Sequence, residues 1–207
     1  EEAWSATIPS ETGKGLREIA DAVRSGEIKA LHILGDSPVF TNGDLGDFLE
    51  ALDKLKFLVV QDSFSSELTE RADVLMPSAT FAEAEGTYTN LERRVQLLRP
   101  ALGAKGEEEV DWRILSWIAA RMGASGFDYE SPRAVFDEIN NLVEVYGGIT
   151  YERLESGGVQ WPCLAADMAD TPVLYDGTLE RRRPRLTALS LRDAPVATNG
   201  EFPMRLA

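Results

Sequence analysis

The chain has 207 residues, a formal net charge of −14, 43% hydrophobic residues and 27% charged ones. That balance fits a folded, soluble protein with one large or two small cores, and its acidity argues against non-specific nucleic-acid binding, which needs basic groups to displace counterions. The sole cysteine, Cys163, and the sole histidine, His32, exclude a disulfide framework and any Cys/His zinc or iron–sulfur site built from this chain alone.

No apolar run approaches the roughly 20 residues that span a bilayer. The acidic start, Glu1-Glu2-Ala3-Trp4, is unlike a secretory signal or a presequence. One cysteine says little about compartment, and a reducing cytoplasm is the default expectation.

In chain order, residues 1–14 carry no periodic pattern. Leu16, Ile19, Ala20 and Val23 then share one helical face, with Gly26 as a stop. Ala30-Leu31-His32-Ile33-Leu34 reads as a buried strand ending at Gly35. A polar loop from Asp36 to Gly43 follows, then a helix carrying Leu45, Phe48, Leu49 and Leu52. Phe57-Leu58-Val59-Val60 is a second strand running out at Gln61-Asp62. A short helix around Ser66–Arg71 precedes a third, Asp73-Val74-Leu75-Met76, stopped by Pro77.

Apolar strands alternating with helices argue for a parallel sheet covered on both faces, half of a doubly wound, Rossmann-like α/β domain. Ligands in such sheets sit beyond the carboxyl ends of the strands. Here those ends are Gly35-Asp36-Ser37 and Gln61-Asp62-Ser63.

The second part is mostly helical, with a short hairpin. Gly86–Asn90 and Arg94–Leu98 read as its extended arms, and Pro100–Glu109 as a linker. Val110, Ile114, Trp117, Ile118 and Met122 form a helical stripe closed by Gly123. Ser131-Pro132 is an N-cap followed by proline at the first helical position, leading a helix with Val135, Phe136, Ile139, Leu142 and Val143. A short helix over 150–156 follows. After Gly157 the chain reads as irregular, and Phe202-Pro203-Met204-Arg205-Leu206-Ala207 reads as the beginning of a strand. The expected organisation is 1–79 as a nucleotide-binding half-domain, 80–170 as hairpin and helices, and 171–207 as an irregular tail.

No nucleophile–base arrangement is visible. His32 on an apolar strand reads as a packed residue, and Cys163 as structural, because no electropositive setting is evident to lower its pKa. Arg93-Arg94 and the triple arginine at 181–183 read as surface charge, although arginine suits bidentate phosphate contact. There is no GxGxxG and no P-loop.

Taken together, Ile28–Pro38, Phe57–Phe64, Ala72–Pro77, Phe81–Gln96, Asp111–Ile114 and Gln160–Cys163 resemble, in order and spacing, the molybdopterin oxidoreductase family, formate dehydrogenase alpha-subunit type. The resemblance implies an internal piece of a large subunit. That subunit holds molybdenum or tungsten between two pyranopterin guanine dinucleotides. Its metal ligand and cluster cysteines lie upstream, and its C-terminal barrel opens near Phe202-Pro203.

The resemblance also implies cofactor contacts. Ser37 stands where the family usually has an asparagine touching one dinucleotide. Gln61 and Asp62 match a pair expected at nucleotide ribose or guanine, and Asp111 an aspartate expected at guanine. Ala84 stands where a lysine is frequent. Without the family, Asp62 is a loop-closing carboxylate and Asp111 a first-turn residue favoured by the helix dipole. The implied partners are the rest of the subunit and redox subunits with iron–sulfur or flavin centres. Catalysis and cofactor binding by this piece alone are not expected. The competing expectation is the large iron–sulfur subunit of NADH-quinone oxidoreductase, which shares the fold and serves as an electron-wire scaffold without molybdenum.

Overall fold

A computed structural model describes residues 9–35, 48–103, 106–174 and 188. By contacts the chain divides into two units, Glu1–Pro172 and Val173–Ala207. All the described helices and strands belong to the first. Ser37, the arginines at 181–183 and the segment from Phe202 lie outside the described residues.

The first unit opens with α1 (Leu16–Arg24), β1 (Ala30–Leu34), α2 (Phe48–Leu52), β2 (Phe57–Asp62) and β3 (Val74–Pro77). Helix α1 forms where Leu16, Ile19, Ala20 and Val23 line one face. At its start the Glu18 carboxylate accepts from the Gly15 N–H at 2.6 Å, satisfying one donor at the helix start. Gly26 ends it with a φ of 78°, a left-handed turn that suits glycine.

The three strands pair in parallel in the order β1-β2-β3, from Ala30 opposite Phe57 to Leu34 opposite Gln61, and from Val59 opposite Val74 to Asp62 opposite Pro77. Strand alternation puts Leu31, Ile33, Leu58 and Val60 on one face. There they pack with Ala20, Phe48, Leu49, Leu52 and Leu68 into the first core. Burying each large apolar side chain of this set stabilises the fold by about 1.5–3 kcal/mol.

The sheet is therefore α/β and parallel, as the sequence implies, but its two faces differ. Both α1 and α2 cover the same face. Ala30, His32, Leu34, Phe57 and Val74 point the other way and are exposed, Leu34 at 48% and Phe57 at 45%. His32 is thus not the packed core residue its apolar strand suggested. Strand identity says that alternate side chains point apart, and only the placement of the helices says which set is covered.

The second half contains β4 (Gly86–Thr89), β5 (Arg94–Leu98), α3 (Asp111–Arg121), α4 (Pro132–Leu142), α5 (Tyr151–Glu155) and β6 (Val159–Gln160). The predicted hairpin is present, with Thr89 opposite Val95 and Gly86 opposite Leu98. A third strand joins it: Val159 pairs with Val95 and Gln160 with Arg94, where the sequence read as irregular. A two-residue strand carries no periodicity to detect.

Ser131 caps α4 by accepting from Ala134 N–H at 3.2 Å, with Pro132 in the first turn. Val95, Phe136, Ile149, Tyr151, Leu154, Val159 and Cys163 form the second core. Gly148 belongs to this packing, since a Cβ there would sit 2.2 Å from the Ala165 carbonyl oxygen and 2.7 Å from Cys163 Sγ. The two helical stripes are less buried than their periodicity suggests. On α3 only Ile114 and Ser116 are buried, while Trp117 is 50% and Met122 82% exposed.

Arg93 and Arg94 are not surface charges. Arg93, at a φ of 65°, donates to the carbonyls of Trp161, Thr171 and Pro172 and lies 5.7 Å from the Trp161 ring centre. Arg94 donates to the Gly158 carbonyl at 2.9 Å. Both guanidinia clasp residues 158–172 onto the hairpin. Arg153 works from the other side, donating to the Gly148 and Met168 carbonyls at 2.7 and 3.0 Å, with Nη1 3.1 Å from Cys163 Sγ.

Candidate functional site at the carboxyl end of the parallel sheet

Strand β2 runs through Gln61 and Asp62, one strand turn further than its apolar core. The extra pairing turns their side chains to opposite faces. Gln61 faces the side left open by α1 and α2, yet it is 0% exposed. Asp111 meets it there.

The approach of the segment that carries Asp111 is fixed by main-chain bonds. Glu109 N–H donates to the Pro77 carbonyl at 3.1 Å, and Ala79 N–H to the Glu109 carbonyl at 2.9 Å. Glu109, read as the end of a linker, thus forms a parallel bridge with Ser78 beyond β3. Pro77 has no N–H, but it lies on the sheet's outer strand and offers only its carbonyl there. Glu109 is itself tied down, its carboxylate taking Val110 N–H at 2.8 Å and Arg113 Nη1 at 3.0 Å. Helix α3 therefore begins over the end of β2.

Its first residue is Asp111. Gln61 Nε2 donates to Asp111 Oδ1 at 2.6 Å, across 50 residues of chain. Ser78 Oγ donates to the same oxygen, also at 2.6 Å. An ionised carboxylate only accepts, so both partners must donate to it. This sets the Gln61 amide: Nε2 faces Asp111 and Oε1 faces away. Gln61 Oε1 is buried and has no hydrogen-bond partner among the described residues. Such an orphaned acceptor costs about 1–3 kcal/mol. Among the described residues no partner falls on Asp111 Oδ2 either.

Asp62 is placed differently. Its Oδ1 accepts from the N–H groups of Ser63 and Phe64 at 2.7 and 3.3 Å, closing its own loop. That matches the local reading of this residue, and the structure does not bring it into the Gln61–Asp111 pair. Asp111 also lines a pocket of about 290 Å³ with Ala84, Gly86, Tyr88, Trp112 and Phe136. The indole Nε1 of Trp112 is buried without a partner among the described residues, with Arg113 5.0 Å from the ring centre. Ala84, which stands where the resemblance has a frequent lysine, also lines this pocket. Among the described residues no cluster of three or more His, Cys, Asp and Glu could hold a metal ion.

The sequence names Gln61 and Asp111 as candidates but not Ser78, which the structure brings to the same carboxylate oxygen. Nothing in the Met76-Pro77-Ser78 stretch distinguishes its hydroxyl, because its partner lies 33 residues away.

Comparison with known proteins gives the family of the chain. The family model described as Molybdopterin oxidoreductase matches residues 2–121. The chain is similar to the F420-dependent formate dehydrogenase subunit alpha of Methanocaldococcus jannaschii, 36% identical over 210 residues, covering 100% of this chain and 31% of that protein. It is also similar to the F420-dependent formate dehydrogenase 2 subunit alpha of Methanococcus maripaludis, 38% identical over 183 residues, 87% of this chain and 27% of that one. The chain thus spans under a third of the length of these relatives. Among solved structures, the acetylene hydratase of Pelobacter acetylenicus matches with a TM-score of 0.56 at 16% identity, covering 69% of this chain and 20% of that one, a likeness of fold. With more than half of its residues inside the family match, the chain belongs to the molybdopterin oxidoreductase family.

Proposed function

We propose that the chain is part of the cofactor-carrying large subunit of a formate dehydrogenase-like molybdopterin oxidoreductase. In this reading Gln61 and Asp111 receive the nucleotide end of a molybdopterin guanine dinucleotide. Family membership implies a molybdopterin cofactor. When bound, that group supplies two-electron redox chemistry at a molybdenum or tungsten ion.

The observation that carries the reading is the paired acceptors. Gln61 Oε1 is buried and unpartnered among the described residues, and Asp111 is held through one oxygen by two donors. Nucleotide ends carry N–H and O–H donors, and a guanine edge presents them to a carboxylate. The residues present therefore fit the group. Asp62, with one oxygen engaged in its own loop, serves a ribose hydroxyl through the other. Ser37 is assigned to the second dinucleotide on the resemblance alone.

The relatives are named alpha subunits, so further subunits are part of the proposal, with iron–sulfur or flavin centres as electron partners and a cytoplasmic location. No described helix is long and apolar enough to cross a membrane. The scaffold reading, a complex I subunit without molybdenum, is not favoured, since these relatives are formate dehydrogenases. Residues 1–207 alone hold only a share of the contacts and are proposed to bind a guanine dinucleotide weakly, because affinity for so large a ligand needs an assembled, preorganised site.

The test uses the full-length subunit. Bound pterin is counted by oxidation to its fluorescent derivative, and molybdenum and tungsten by elemental analysis. Asp111→Ala and Gln61→Ala are expected to lower pterin per polypeptide at least about tenfold, the loss of one charge-assisted contact. Wild-type pterin content in both variants would overturn the reading.

A further inference from the structure

We infer that Ser78 is a positioning residue for the cofactor-binding carboxylate, acting through Asp111 without touching the ligand itself. The inference rests on the reading of Asp111 given above, and goes beyond it by assigning a residue with no nucleotide contact of its own.

The geometry is specific. Ser78 is 5% exposed and its Oγ lies 2.6 Å from Asp111 Oδ1. Gln61, 0% exposed, reaches the same oxygen from the neighbouring strand, also at 2.6 Å. Asp111 is the first residue of α3 and is itself exposed. A first-turn aspartate on a helix surface would ordinarily exchange among rotamers. One donor on Oδ1 leaves the carboxylate free to pivot about that contact. Two donors, one on β2 and one just beyond the end of β3, fix its plane, and so fix where Oδ2 points. Hydrogen bonds to a charged group are shorter and about twice as strong as neutral ones, which suits a locking role.

Ser78 is held in turn. Its N–H donates to the Asp62 carbonyl at 3.0 Å, and its neighbour Ala79 donates to Glu109, two residues before Asp111. The hydroxyl and the carboxylate are thus mounted on two segments bonded to each other. Preorganisation of this kind raises affinity by removing the ordering cost that binding would otherwise carry. No other acceptor for the Ser78 hydroxyl is found among the described residues.

The experiment is a double-mutant cycle in the full-length, cofactor-loaded subunit, with Ser78→Ala, Asp111→Ala and the double variant. The readout is the rate at which protein-bound pterin is lost on dilution, followed by fluorescence after oxidation. Ser78→Ala is expected to speed loss about tenfold in the wild-type background and not at all in the Asp111→Ala background. An equal acceleration in both backgrounds would overturn the inference, because a fold defect or a direct ligand contact acts whether or not Asp111 is present. Fast loss in Asp111→Ala with wild-type loss in Ser78→Ala also overturns it, while leaving the reading of Asp111 intact. Wild-type loss in Asp111→Ala removes that reading and the inference with it. Ser78→Cys keeps a weaker donor at the same place and is expected to fall between serine and alanine. A rate no slower than that of alanine counts against the hydroxyl as the cause.

Discussion

Gln61 and Asp111 meet at 2.6 Å, one at the end of a buried strand and the other at the start of a half-exposed helix 50 residues later. The contact makes any charge placed at position 61 bear directly on the Asp111 carboxylate. Replacing Gln61 by glutamate sets a second carboxylate against Asp111 in a fully buried position. Two carboxylates this close hold one proton between them, so one has a folded pKa raised above the unfolded value of about 4.3. Stability from a raised group is complete below the unfolded pKa and is lost as pH rises through the folded one. The deficit of Gln61→Glu relative to wild type is therefore expected to grow between pH 5 and pH 8, by about 1.4 kcal/mol for each tenfold gain in the pair's proton affinity. Urea midpoints at the two pH values check this, and an equal deficit at both would show that the carboxylates do not interact.

Arg93 gives a second prediction, because its backbone and its side chain pull in opposite directions. A φ of 65° is unfavourable for a residue with a Cβ and easy for glycine, by about 1 kcal/mol. The guanidinium meanwhile satisfies the carbonyls of Trp161, Thr171 and Pro172. Arg93→Ala loses the clasp and keeps the strain, whereas Arg93→Gly loses the clasp and relieves it. Alanine is expected to destabilise by about 1–3 kcal/mol and glycine by about 1 kcal/mol less. Hydrogen exchange over residues 158–172 is expected to quicken in both. Glycine as costly as alanine would mean the backbone is not strained.

The third concerns Cys163, which is 0% exposed and lies 3.1 Å from Arg153 Nη1. In the native chain its thiol is expected to resist a disulfide reagent, since labelling waits on local opening. Arg153→Ala orphans the Gly148 and Met168 carbonyls and is expected to speed labelling about 10- to 100-fold. Arg153→Lys keeps the charge but not the fork and is expected to fall between. Labelling at the wild-type rate in both variants would mean the guanidinium does not hold this loop.

Tyr151 supplies a pH dependence at the alkaline end. Burial of the ring, and secondarily the Glu85 and Asp137 carboxylates, push its phenol above the ordinary tyrosine range. The hydroxyl is buried without a partner among the described residues. A raised folded pKa means that its contribution is present below about pH 10 and lost as pH rises through the folded value. Tyr151→Phe removes an unpaired hydroxyl and is expected to be neutral or slightly stabilising at pH 7. It is also expected to retain stability above pH 10 where the wild type declines. Thermal unfolding between pH 7 and 11 measures both, and parallel curves for the two proteins would count against the assignment.

Much of this protein is legible in its sequence. Unalternating apolar runs broken by amphipathic helices dictate a parallel sheet, and they leave open that Leu31, Ile33, Leu58 and Val60 are the set that packs into its core. Ser131-Pro132 dictates the start of α4 because a cap and a missing N–H act within one turn. The carboxyl ends of the strands, read from the apolar runs alone, already point at Gln61. Tertiary structure decided the rest. That α1 and α2 share a face left His32 and Leu34 exposed. That β6 exists depends on Val95 being there to pair with Val159. The inward turn of Arg93 and Arg94 depends on carbonyls more than 60 residues away. Above all, Ser78, Gln61 and Asp111 become one site only because the Glu109 main chain docks beside Pro77. Periodicity and capping are local and leave marks a sequence can carry. A hydroxyl and a carboxylate from distant segments are brought together by main-chain pairing whose acceptors are carbonyls that every residue carries, and such pairing leaves no mark.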